Sequence, residues 1–249
     1  MKKIIVLFVL ITGMVISPLY TATSEAAYSS TVYNSQKIMA KFGIPAGPVD
    51  GNLGPQTRRG LCIFRYMSGL TVNLKALDTT TYNKLKSFDT TYTSVSKIPA
   101  RMSTTTSEIL VAHETCQAMT FSKKASNGKH YYAKVMAIST GMAGHGTPNG
   151  TYDLNKTKLG WTCSTTYSSS CKTQTTGKYL SEGSYGNMYN YRWFLSSAYG
   201  IHGSTSVPTN PASHGCVRVT VSDSDWMYAN VGNGSIVPKL IVTGAYVGY

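Results

Sequence analysis

The chain changes its hydrophobic period once, near residue 107. Before that point apolar side chains recur at helical spacing. Ile38, Met39 and Phe42 fall on one face of a first helix, with Gly43 as its stop. Leu61, Phe64 and Met67 form a second stripe. It starts after Gly54-Pro55, where proline suits the first turn because an N–H there would lack a helical partner. Thr79 to Thr81 cap a third short helix carrying Tyr82 and Leu85. Between the first two helices, Gly47-Pro48-Val49-Asp50-Gly51 predicts a turn. Three short helices make a marginal core, so a covalent link to the rest of the chain would help.

From residue 107 the period is that of strands. Runs rich in β-branched and aromatic residues cover 109–111, 118–121 and 131–138, separated by Asn127-Gly128 and the glycines of 141–146. Further strands are predicted over 159–162, 191–195, 217–221 and 236–242. Ser222-Asp223-Ser224-Asp225 reads as the cap and acidic first turn of one helix ending at Asn230. Residues 89–106, with Thr, Ser, Tyr and Pro99 but no sustained period, read as a linker. The predicted fold is α+β: a three-helix module over 28–88, the linker 89–106, and a β-dominated, β-sandwich-like domain with one helix over 107–249.

The first residues narrow the setting. Met1-Lys2-Lys3 precedes an apolar run over 4–16 broken only by Thr12 and Gly13, and Ser24-Glu25-Ala26 ends in small residues. This predicts a secretory signal over 1–26, cut before Ala27; the run is too short for a bilayer span. Only 13% of residues are charged, and 23 Lys+Arg against 10 Asp+Glu give +13. Such a balance seeks a polyanion, and export argues against nucleic acid, leaving an anionic membrane or wall polymer. Five cysteines in an oxidising compartment leave at least one unpaired, a candidate nucleophile. Cys163 and Cys171 bracket a short Ser/Thr/Tyr loop that a disulfide would staple, which leaves Cys62 to pair with Cys116. No CxxC, HxxxH or HExxH occurs, and His113-Glu114 is isolated, so neither a metal nor a cofactor is expected.

Chemistry concentrates in Ile201-His202-Gly203-Ser204 and Ser213-His214-Gly215-Cys216-Val217-Arg218. A thiol attacks as thiolate, and an imidazole nearby can take its proton. Glycine before the cysteine lets the backbone approach a carbonyl, so the amides of His214, Gly215 and Cys216 could meet a developing oxyanion. His113, His130 and His145 read as ordinary structural histidines, although the loop of His145-Gly146 can reach substrate.

These residues resemble two families of bacterial wall proteins. Ser35-Gln36, Phe42-Gly43, Val49-Asp50-Gly51, Gly54-Pro55, Thr57 and Phe64 are similar to the small helical peptidoglycan-binding domain. His202-Gly203, Ser213-His214-Gly215-Cys216 and Arg218, with Ser139-Thr140-Gly141, Thr147-Pro148 and Gly150 upstream, resemble the YkuD-type L,D-transpeptidase catalytic domain. The resemblance implies Cys216 as nucleophile and His202 as general base and later acid. Gly203 would orient the imidazole through its carbonyl, and Ser213, His214 and Gly215 would shape the oxyanion loop. Arg218 would bind a stem-peptide carboxylate or buttress that loop. Tyr189 would line the donor groove, while Trp193 is expected in the core. The gap from His202 to Ser213 is short for the family, which bears on the shape of any lid. The implied protein is a monomeric enzyme of the wall or periplasm whose partners are peptidoglycan stem peptides and glycan. It would release D-Ala from tetrapeptide stems and form cross-links. With water as acceptor it would be an L,D-carboxypeptidase, and without catalysis a peptidoglycan-binding protein.

Overall fold

The structure, a computed structural model, describes residues 28–164 and 187–246. The expected signal over 1–26 and Cys171 lie outside the described residues. Three helices come first: α1 (Ser30–Lys41), α2 (Pro55–Ser68) and α3 (Thr79–Thr91). The Ser29 side chain caps α1 by accepting from the Val32 N–H, and Pro55 opens α2. Gly69 ends α2 in the left-handed conformation at φ +79°, which glycine reaches without a Cβ clash. The cap of α3 is Asp78, whose carboxylate accepts from Thr81 N at 2.7 Å, one residue ahead of the predicted threonines.

Four of the residues that carry the peptidoglycan-binding resemblance, Gln36, Asp50, Gly51 and Thr57, meet at one buried amide. Gln36 Nε2 donates to Asp50 Oδ1, Asn52 O and Thr57 Oγ1 at 2.9–3.0 Å. Its Oε1 accepts from the N–H groups of Asp50 and Gly51. A buried amide with both ends bonded fixes the α1–α2 turn against the start of α2.

Nine strands follow: β1 (Glu108–His113), β2 (Ala118–Lys124), β3 (His130–Ser139), β4 (Gly150–Asp153), β5 (Lys158–Thr162), β6 (Met188–Trp193), β7 (Gly200–Ser204), β8 (Val217–Thr220) and β9 (Lys239–Thr243). They form one mixed sheet in the order β4-β9-β1-β2-β3-β8-β7-β6-β5. The expected sandwich-like pair of sheets is therefore replaced by a single continuous sheet. The β1–β9 and β7–β8 pairs are parallel, and β1–β9 joins segments far apart in sequence, which a local hydrophobic pattern does not reveal. Two strands lie outside the prediction. β4 is short, and β7 is Gly-Ile-His-Gly-Ser, a sequence of low strand propensity held by its neighbours. The last helix, α4 (Val221–Asn230), starts at Val221 because Thr220 Oγ1 accepts from Asp223 N at 3.0 Å.

Both faces of the central strands are covered, so β1 is buried along its whole length. Ile109 and Val111 pack with Leu61, Ile63, Phe64 and Leu85 of the helices, while Leu110 and Ala112 point into a second cluster with Phe121, Ile201, Val217 and Val242. The apolar cluster is thus shared between helices and sheet. A disulfide joins Cys62 on α2 to Cys116 after β1, with 5.3 Å between Cα atoms. The stretch read as a linker lies on the sheet: Ile98 is buried, Pro99 bridges to Tyr131, and Ala100 N donates to His130 O. Trp193 departs from expectation. It is 39% exposed at the end of β6, and Phe194 takes the buried position.

Candidate active site

Parallel pairing of β7 with β8 sets Ile201 opposite Val217 and His202 opposite Arg218. This register brings the two halves of the sequence motif together and leaves Cys216 at the entrance to β8. His202 is buried, and its Nδ1 lies 3.0 Å from the carbonyl of Gly203. A carbonyl only accepts, so Nδ1 carries the proton and Nε2 keeps its lone pair. Burial drives the His202 pKa down to about 4; the Gly203 carbonyl opposes this, and the Arg218 charge adds to it. At neutral pH the imidazole is therefore uncharged and able to receive a proton.

Cys216 is the free cysteine among the described residues. Burial pushes its thiol up, against opposing contributions from the backbone of Gly200, the Tyr191 hydroxyl and the Arg218 charge. The resting pair is consequently a neutral thiol and a neutral imidazole. The thiol sits 3.7 Å from the Ala198 carbonyl. Cys163 is disulfide-bonded, and the expected pairing with Cys171 falls outside the described residues.

The loop before Cys216 is fixed from two sides. Ser213 Oγ donates to the Cys216 carbonyl and accepts from Gly215 N, so the Gly215 amide is committed within the loop. Thr147 Oγ1 donates to Gly215 O at 3.0 Å and accepts from Gly141 N at 2.9 Å. Ser213 N donates to Thr140 O, and Met142 N to Ser213 O. These bonds explain why Thr140-Gly141 and Thr147 belong to the motif. Gly215 has φ +112°, and a Cβ there would stand 2.7 Å from the Tyr199 ring. Any other residue would move the loop.

Sequence reasoning missed three contributors. Among the described residues Tyr191, rather than Tyr189, lines the cavity beside Cys216 and His202. Its hydroxyl donates to Ser197 O at 2.9 Å, its ring is 6.4 Å from that of His202, and burial, with a further contribution from the Cys216 thiol, raises its pKa. Tyr189 instead packs on Trp161. Asn190 between the two tyrosines has φ +48°, and this irregularity breaks the alternation that would place both on one face. Gln117 exchanges two hydrogen bonds of 2.8 Å with Thr140 and sits beside the disulfide-bonded Cys116. Arg59 of α2 donates to the carbonyl of Pro208 in the β7–β8 connection, tying the helices to the approach of the motif.

Cys216, His202, Tyr191, His214 and Arg218 line a cavity of about 590 Å³, within the range of small-ligand sites. His145 lines it as well, its ring 4.7 Å from that of His214. His113, edge-on to the Tyr66 ring, and His130, bonded to Thr106 O, are structural. Among the described residues no group of three His, Cys, Asp or Glu could hold a metal ion.

Residues 107–239 match the family described as YkuD, the L,D-transpeptidase catalytic domain. The chain is similar to a solved L,D-transpeptidase fragment from Xylanimonas cellulosilytica, at 20% identity and TM-score 0.51, covering 88% of this chain and 96% of that one. An L,D-transpeptidase from Stackebrandtia nassauensis is 16% identical with TM-score 0.47, covering 89% and 95%. One from Mycobacterium smegmatis is 19% identical with TM-score 0.41, covering 55% and 58%. The first of these shares the fold. No curated protein matches the chain.

Proposed function

The chain belongs to the YkuD L,D-transpeptidase catalytic domain family, and from that premise we propose that it is an exported wall enzyme that transfers acyl groups between peptidoglycan stems through Cys216. The observation that carries this reading is the His202 imidazole, locked by the Gly203 carbonyl in the tautomer with a bare Nε2 and paired through the β7–β8 register with the strand that Cys216 begins.

In this reading Nε2 of His202 takes the thiol proton as sulfur adds to the carbonyl between the L-centre of the diamino acid and the terminal D-Ala of a tetrapeptide. The tetrahedral oxyanion develops beside the Ser213–Cys216 loop, which its hydrogen bonds hold ready. The C–N bond breaks, imidazolium returns its proton to the departing amine, and a thioester remains. A side-chain amine of a second stem, deprotonated by His202, then resolves the thioester into a cross-link and restores the thiol. Water in that role gives L,D-carboxypeptidase activity. Residues 28–88 would hold the wall polymer, as their resemblance to the peptidoglycan-binding domain suggests, with residues 1–26 directing export. The Cys62–Cys116 disulfide suits an oxidising compartment, and among the described residues no helix is long and apolar enough to cross a membrane.

The test is purified protein lacking residues 1–26, incubated with a defined tetrapeptide stem, with and without a second stem as amine donor. Mass spectrometry should find D-Ala release and a cross-linked dimer. Release without a dimer would favour the carboxypeptidase; no release from any stem would leave a binding protein.

A further inference from the structure

Three basic side chains reach the same cavity from three separate elements. His145 comes from the β3–β4 connection, His214 from the loop before Cys216, and Arg218 from β8. The two imidazole rings are 4.7 Å apart and inclined at 60°. None of the described residues lining the cavity is Asp or Glu. Like charges gathered beside a nucleophile raise the free energy of the empty site and lower it when an anion enters. The placement of His145 is built. Its N–H donates to Met142 O at 2.9 Å, and a Cβ on Gly141 would stand 2.0 Å from its carbonyl. The loop is closed by the same Thr147 hydroxyl that holds the Gly215 carbonyl.

We propose that His145, His214 and Arg218 form a carboxylate subsite that receives the free C-terminus of the residue expelled from the scissile bond. This rests on the reading of Cys216 as the acyl-accepting nucleophile. The geometry favours the leaving side. The carboxylate of a terminal residue is three bonds, about 4 Å, beyond the attacked carbon, so a group two residues from the nucleophile can meet it. A carboxylate on a long side chain lies farther off. The site thereby selects stems ending in an unmodified D-residue and rejects amidated ends.

A carboxylate seated here favours the protonated form of His214, so binding takes up protons and tightens as pH falls. His214 resists that charge in the empty site, because burial and then the charges of His145 and Arg218 hold its pKa down. Among the described residues the other titratable groups lining the cavity with the pair are His202, Tyr191, Tyr199 and Cys216. His202 stays neutral down to about 4, and Tyr191 is pushed above its ordinary value.

The experiment measures calorimetric binding to the Cys216→Ala chain, which removes both turnover and the thiol. Ligands are a stem tetrapeptide with a free C-terminal carboxylate and the same peptide as its C-terminal amide. At about pH 5.5 the acid should bind about tenfold tighter than the amide, the gap narrowing severalfold by about pH 8. His145→Gln, at an exposed position, should narrow the gap and leave amide binding unchanged. Equal affinity for acid and amide, or a gap untouched by His145→Gln, overturns the subsite. Turnover by the wild-type chain is scored separately. An acid-selective Cys216→Ala chain whose wild type releases nothing would refute the catalytic reading and keep the subsite.

Discussion

His202 and Cys216 divide the chemistry by environment. Burial keeps the imidazole neutral and the thiol protonated, so in the proposed mechanism the proton moves only as the substrate carbonyl is attacked. Cys216→Ala should therefore abolish release of the terminal residue. His202→Ala should lower kcat by about two to four orders of magnitude, the scale of a positioned acid–base group. The acid limb of kcat is expected near pH 4, well below the 6.5 of a solvated imidazole, because protonation of His202 removes the base. An acid limb near 6.5 in a pH profile would mean that the imidazole is wet in the working enzyme.

At the level of elements, two short connections govern the site. Gly215→Ala places a methyl against Tyr199 in a left-handed backbone. About a hundredfold loss in kcat is expected with the far-ultraviolet spectrum retained, since displacing positioned donors costs about that much. The β1–β2 connection carries Glu114, buried and with its carboxyl pKa raised to about 7 by burial alone. A carboxyl whose folded pKa is raised contributes stability below its ordinary 4.5, which is lost as pH rises through about 7. Glu114→Gln should therefore raise the melting temperature at about pH 8 and leave it unchanged at about pH 4.5. Much of this element structure was legible. Leu61, Phe64 and Met67 marked α2 because one apolar face packs on the sheet, and 109–111 and 131–138 marked strands through their β-branched and aromatic residues. β7 was not legible as a strand. Its His and two glycines serve the site, and their extended form comes from β6 and β8 on either side. Cys216 and His202 stood out because a thiol, two histidines and glycines rarely share so short a stretch by accident, and both line one cavity. Tyr189 was named from the family resemblance, and the left-handed backbone of Asn190, which no local pattern announces, sets Tyr191 apart from it.

Across the whole molecule the helices and the sheet share one apolar cluster, so residues 28–88 brace the catalytic region whatever they bind. The Cys62–Cys116 bridge spans 54 residues and, in the chain-entropy model, contributes about 4 kcal/mol. Replacing both cysteines by serine should lower the denaturant midpoint by the equivalent of about 2–4 kcal/mol. Removing residues 28–106 should uncover Ile109, Val111, Ala118 and Val135, and the remaining chain is expected to aggregate. A monodisperse, fully active fragment in size-exclusion chromatography would show that the sheet stands without its helical brace. The central claim, that the acyl group is carried on Cys216, is tested most directly by intact-mass measurement of the protein mixed rapidly with a tetrapeptide stem. The expected result is an adduct with the mass of the stem minus its terminal residue, labile to hydroxylamine, mapped to Cys216 and absent from Cys216→Ala. An adduct on any other residue, or terminal-residue release by Cys216→Ala, would contradict it.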